Sequence, residues 1–155
     1  MRNRLIFCAG IVILDQFTKF FADKFIMRGS RTSIISFLNF FNIVNCRNTG
    51  IEFGMFQGKN FIFSVVVFLL LSGLLLWLYK NWNKINKIQQ YAFCLIFSGG
   101  LGNFIDRLFR GAVVDFLDFG INSKRWPSFN IADSCICIAI CLIFTNLLIS
   151  RKRKV

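Results

Sequence analysis

Histidine is absent from this 155-residue chain, and its six cysteines include no CxxC pair. The usual nitrogen ligand of a zinc site is therefore missing and the thiols are scattered, so neither a metal nor any other cofactor is expected. A disulfide framework is missing as well: Cys8, Cys94, Cys135, Cys137 and Cys141 sit inside apolar runs, and only Cys46 lies in a polar connection. That pattern predicts small, buried, unpaired cysteines. Acid is scarce, with seven Asp+Glu against 19 Lys+Arg and a formal charge of +12. In a soluble protein such an excess would suggest a nucleic-acid partner. Here the basic residues of Arg2-Asn3-Arg4, of Lys80 to Lys87 and of Arg151-Lys152-Arg153-Lys154 abut hydrophobic runs and contain no acid, which fits membrane anchors and excludes a nucleic-acid surface. The N-terminal run reads as a first span rather than as a cleavable export signal. Arg2 and Arg4 followed by Leu5 to Leu14 resemble the start of one, but Asp15, Gln16 and Lys19 stand where a small-residue cleavage site would be.

What the chain has in abundance is hydrocarbon: 55% apolar residues, 21 Phe and a mean hydropathy of +0.60. A soluble core of this length would leave extensive apolar patches exposed, whereas lipid solvates them. Crossing the hydrocarbon takes roughly 20 helical residues. Four stretches qualify or nearly so, at about 4–22, 60–79, 89–106 and 130–150, and the second carries no charge at all. The fold class is therefore an all-α membrane protein of four transmembrane helices in one domain spanning 1–155. The short segments at one side hold nine basic residues (Arg2, Arg4, Lys80, Lys84, Lys87 and the run from Arg151) and no acid, so basic density puts both termini on the cytoplasmic side. Trp77, Tyr79, Trp82 and Trp126 fit interfacial positions.

The outer segments are 23–59 and 107–129. The first interleaves Ile34, Ile35, Phe37, Leu38, Phe40, Phe41, Ile43 and Val44 with Asn39, Asn42 and Asn45, too apolar for a solvated loop and too broken for a span. A small β-rich or amphipathic element on the outer membrane surface suits it. The second repeats the theme with Val113-Val114-Asp115-Phe116-Leu117.

An ionised side chain in a span is costly, so polar residues near the spans need a reason. Asp15 and Lys19 stand four apart on one helical face beside Gln16, either as a stabilising ion pair or as ligand contacts. Asn48-Thr49-Gly50 with Phe53-Gly54 reads equally as a turn entering the second span or as part of a binding site. The third span ends Ser98-Gly99-Gly100-Leu101-Gly102-Asn103-Phe104-Ile105-Asp106-Arg107, where small residues permit close helix approach. If helical, Gly99, Asn103, Asp106 and Arg107 share a face, as an Asp–Arg pair capping a packed helix or as a polar site. The most informative acids are Asp115, set among apolar residues, and Asp133, three after Asn130 at the start of the fourth span. Burial raises the proton affinity of each, and proximity would make the two share one proton, as an aspartic protease requires. The competing reading makes Asp133 a helix cap and Asp115 a solvated loop acid. Asp118 is a rival for Asp115, and Asp106 a further acid in reach.

Taken in order, Asp15-Gln16-Phe17-Thr18-Lys19, Asn48-Thr49-Gly50-Ile51-Glu52-Phe53-Gly54, Gly99 to Arg107, Val113-Val114-Asp115-Phe116 and Phe129-Asn130-Ile131-Ala132-Asp133-Ser134 resemble the lipoprotein signal peptidase family, the type II signal peptidases of bacteria. The resemblance covers nearly the whole chain. It implies an aspartic endopeptidase of the bacterial inner membrane, active at the periplasmic side as a monomer, cutting prolipoproteins just before a diacylglyceryl-modified cysteine. It assigns the catalytic pair to Asp115 and Asp133. It implies further that Asn48, Gly50, Asn103, Asp106, Arg107 and Asn130 line or brace the substrate site, with Asp15 and Lys19 in support. Glu52 departs from the family pattern, which has a small or apolar residue there, and facing solvent or pairing with Arg47 would accommodate it. Two other classes remain: a small transporter whose Asp15, Asp106 and Asp133 relay protons, and a non-catalytic assembly factor. Both predict that Asp115 is replaceable.

Overall fold

The long apolar runs all become helices, because a backbone in lipid must satisfy its own hydrogen bonds. The computed structural model describes residues 2–35, 39–50 and 58–152. The elements are α1 (Arg2–Phe25), β1 (Arg31–Ile35), β2 (Phe41–Asn48), α2 (Asn60–Asn81), a 3-10 turn (Trp82–Lys84), α3 (Lys87–Phe109), β3 (Val113–Ile121), β4 (Lys124–Arg125) and α4 (Ile131–Lys152). All four helices are long and apolar enough to cross a membrane. Each runs a little past the window read from hydropathy, and α3 keeps Arg107 inside the helix rather than in the connection after it. Phe37, Leu38, Ile51, Glu52, Phe53, Gly54, Arg153 and Lys154, including the suggested Glu52–Arg47 contact, lie outside the described residues.

α3 is the central helix. It starts on a capping box, in which the Asn86 side chain accepts from the Gln89 N–H (2.9 Å) and Gln89 accepts from the Asn86 N–H (3.0 Å). It buries residues all along its length, among them Ala92, Leu95, Ser98, Gly99, Gly102, Asn103 and Asp106. Phe7 against Tyr91 at one end and Gln16 against Gly102 further along show that α1 runs parallel to it. Asn86 bonded to Asn146 and Asn103 bonded to Asp133 show that α4 runs antiparallel. A core of Ala92, Leu95, Cys135 and Ala139, flanked by Ile11 and Ile143, joins the three helices. α2 is antiparallel to α3 and buries only Ser64, Leu71 and Leu78, one residue every seven. Its other faces are exposed hydrocarbon, such as Phe61, Leu70 and Leu76, which lipid covers.

Both outer segments fold into one antiparallel sheet of order β1-β2-β3-β4. β2 and β3 pair from Phe41 opposite Phe119 to Asn48 opposite Val113, with Cys46 opposite Asp115. Phe119 stacks between Phe41 and Phe129, and buried Ala22, Val114 and Phe116 seal the sheet against the end of α1. The four helices thus alternate in direction, with the sheet at one end of the bundle and the start of α1 and the end of α4 at the other. The cysteines depart from the expectation of burial. Cys94 and Cys135 are buried, but Cys46, Cys137 and Cys141 are exposed. For Cys137 and Cys141 the reason is that the outward face of α4 meets lipid, which accepts a small apolar side chain as readily as a core does. All six thiols are unpaired.

Candidate active site

Asp115 is not a solvated loop acid. It sits within β3, favoured by its Val-Val and Phe-Leu neighbours, and is 2% exposed. Two features deliver it. Gly111 takes a left-handed conformation (φ +72°) just past the α3 C-cap, turning the chain into the strand. The Asp106 carboxylate then accepts the Val114 N–H (3.2 Å), pinning the residue next to Asp115. On the far side, the Phe129 carbonyl accepts the N–H groups of Phe116 (3.0 Å) and Leu117 (2.8 Å), which brings Asn130 alongside.

Asn130 is fully buried and joins the two acids. Its amide nitrogen donates to Asp115 Oδ1 (2.7 Å) and to Asn103 Oδ1 (3.3 Å). Its backbone N–H donates to Asp133 Oδ2 (3.1 Å), and its side-chain oxygen accepts the Asp133 N–H (3.0 Å). The cap reading of Asp133 is therefore correct as far as it goes, since Asn130 and Asp133 form a reciprocal box at the start of α4. The other oxygen of the same carboxylate does something else: Asp133 Oδ1 accepts from the amide of Asn103 on α3 (2.7 Å). Two carboxyl groups from β3 and α4 thus meet the same asparagine, and a second asparagine ties one of them to α3.

Behind this pair lies a buried ionic cluster. Lys19 is wholly enclosed and its ammonium reaches Asp15 (2.9 Å), Asp106 (2.9 Å) and Asn103 Oδ1 (2.8 Å). Asp15 also accepts the Ala132 N–H (3.0 Å), so the first turn of α4 rests on a carboxylate of α1. The Asp106–Arg107 pairing suggested by adjacency does not occur; Asp106 pairs with Lys19 and Arg110. Neighbours on a helix point 100° apart, whereas residues four apart share a face. Arg107 instead donates to the carbonyls of Asn103 (3.4 Å) and Gly50 (3.2 Å). Asn48 accepts the Gly50 N–H (3.0 Å), forming the local turn that presents that carbonyl. Asp118, the rival acid, is held by Arg31 (2.9 Å), Arg125 (2.9 Å) and Asn42 (3.0 Å) and braces the sheet.

Three residues in this region escaped the sequence reading as site members. Gln16 donates to Asp15, Gly102 and Asp106, and accepts from Arg110 (2.6 Å). Asn60 donates to the Arg107 carbonyl (3.1 Å). The third is Arg110, for which the i,i+4 spacing from Asp106 was a usable signal; Asn60 had none. Among the described residues, no three His, Cys, Asp or Glu side chains converge as metal ligands would. Chemically, the site offers two carboxyl groups anchored on one asparagine, amide donors that fix their orientation, and a charge-balanced scaffold.

Comparison with known proteins adds the following. Residues 7–149 match the family model described as "Signal peptidase (SPase) II". Among relatives, a lipoprotein signal peptidase of Borrelia hermsii is 42% identical over 99% of this chain and 96% of its own length. One of Bacillus pumilus is 37% identical over 92% and 90%. A solved structure titled as a bacterial membrane enzyme superposes with a TM-score of 0.87 at 34% identity, covering 100% of this chain and 93% of that one. A second with a similar title gives 0.81 at 35% identity, covering 96% and 94%.

Proposed function

The chain belongs to the lipoprotein signal peptidase family, a family of multi-pass membrane peptidases that process lipoprotein signal peptides, and from that premise we propose that it is an aspartic endopeptidase with Asp115 and Asp133 as its catalytic pair. The observation that carries this reading is Asn130, bonded at once to both carboxylates. An aspartic mechanism needs one ionised and one protonated carboxyl group, and two acids anchored on one asparagine can divide those roles. The ionised member takes a proton from water as the water oxygen bonds to the scissile carbonyl carbon. The protonated member gives its proton to the carbonyl oxygen. Collapse of the tetrahedral species breaks the C–N bond, the amine leaves with a proton, and the pair returns to its starting state.

The substrate is a prolipoprotein cleaved before its diacylglyceryl-modified cysteine, a bond lying near the lipid surface. That depth supports the assignment, since the acids stand where the helices meet the sheet. Asn103 and Asn130 orient the pair; Asn48, Gly50 and Arg107 frame the approach; Asp15, Lys19 and Asp106 hold the scaffold. The protein acts as one domain, as a monomer and without a cofactor, in the bacterial inner membrane. Its termini are cytoplasmic and its site periplasmic, as the basic density of the short segments favours. The test is cleavage of a synthetic diacylglyceryl prolipoprotein peptide in detergent. Asp115→Asn and Asp133→Asn should each lower turnover by at least about 100-fold while the folded protein still enters the membrane. Retained turnover in either variant removes that residue from the pair, whereas no cleavage by the unaltered protein supports a transporter or assembly role instead.

A further inference from the structure

At the end of the bundle opposite the sheet, a cleft of about 600 Å³ separates α1 from α2 above the floor of α3. Its volume falls in the roughly 300–1,000 Å³ range of ligand cavities. The walls are hydrocarbon and aromatic, among them Leu5 from α1, Leu75 and Leu78 from α2, and Phe93 and Phe97 from α3. Among the described residues a single charged one, Arg4, lines it. The Arg4 guanidinium lies 5.7 Å from the Trp82 ring centre and 5.4 Å from that of Tyr91. Rings stacked near a guanidinium attract the cation through its faces but accept none of its in-plane N–H donors. Arg4 Nε is buried and has no acceptor among the described residues. A buried donor left without an acceptor is costly, so the site calls for an anion with oxygen atoms beside a long apolar slot.

We propose that this cleft binds one anionic glycerophospholipid of the surrounding leaflet, with an acyl chain along the Leu75, Leu78, Phe93 and Phe97 wall and the phosphate on Arg4. Charge complementarity selects the occupant. The same end of the bundle carries Arg2, Lys80, Lys84 and Lys87 and no acid, a surface that attracts anionic headgroups. A basic-ended signal helix, the other apolar rod within reach, would bring like charge against Arg4. The inference is independent of the aspartic mechanism and survives its failure.

The test is a lipid titration of the delipidated full-length protein by native mass spectrometry, using phosphatidylglycerol and phosphatidylcholine of identical chains. Phosphatidylglycerol should bind at one site about fivefold more tightly, the ratio expected for one basic contact near a membrane surface. Arg4→Gln should abolish the preference. Leu75→Trp, which fills the slot from a half-exposed position, should weaken both lipids without lowering the melting temperature. Equal binding of the two lipids by the unaltered protein, or a preference that survives Arg4→Gln, overturns the proposal. So does a result in which both variants bind lipid normally but raise KM for prolipoprotein, since the cleft would then hold the signal helix.

Discussion

Lys19 has three ammonium hydrogens and three acceptors around it, all within 2.9 Å, in a pocket no solvent reaches. The arrangement also decides the orientation of Asn103. Its oxygen is occupied by Lys19 and Asn130, so its nitrogen is left to donate to Asp133. Removing the ammonium takes the cationic partner from buried Asp15 and leaves buried Asp106 with Arg110 alone. Losing one partner of a buried ion pair costs roughly 3–5 kcal/mol. Lys19→Met should therefore lower the melting temperature in detergent by several degrees or more, and an unchanged melt would mean that the acids find other partners. At this scale the sequence was legible where partners lie four apart on one helix, as for Asp15 and Lys19. It was silent where they come from different elements. Nothing local reveals that Asp118 is claimed by Arg31 and Arg125, or that Asp133 caps its helix with one oxygen and meets Asn103 with the other.

Among the elements, the contact of α3 with α4 and α1 sets how well the acids converge. A Cβ on Gly99 would stand 2.4 Å from the Ala132 carbonyl oxygen, and one on Gly102 would stand 2.5 Å from Asp15 Oδ2. Backbone cannot yield as a side chain does, so Gly99→Ala must push the start of α4, and Asp133 with it, away from Asn103. Overpacking of this kind costs about 1–3 kcal/mol, and the displacement should reduce cleavage at least tenfold. Gly100→Ala is the matched control. Its Cβ would meet only the end of the Leu71 side chain at 2.9 Å, which can rotate aside, so activity should stay within about twofold. Equal activity of the two variants would show that the α3–α4 distance does not govern the pair. The small-residue run predicted close packing from sequence, but not which glycine faces which helix. Hydropathy gave the four spans to within a turn at either end, yet it could not show that the two outer segments are one sheet, because pairing of β2 with β3 joins residues some 70 positions apart.

For the whole molecule, alternating helices place the sheet and both aspartates at one end, with the basic turn after α2 and the chain ends at the other. Cys46 is exposed on the sheet and reports on that end. In a background where the other five cysteines are replaced by alanine, a membrane-impermeant maleimide added to intact spheroplasts should label Cys46. A cysteine introduced at Asn83, in the turn after α2, should react only after lysis. The reverse pattern would invert the assigned orientation.

The ionic cluster also bears on how such a chain is made. Asp15 pairs with Lys19 inside α1, and Asp106 near the end of α3 pairs with Arg110 at its C-cap, each four residues apart. Either helix leaving the translocation machinery already has its acid matched by a base, so each avoids the large cost of carrying an unmatched carboxylate into hydrocarbon. Biogenesis can then release the spans one after another, and the bond from Lys19 to Asp106 is added to the two existing pairs once both have arrived.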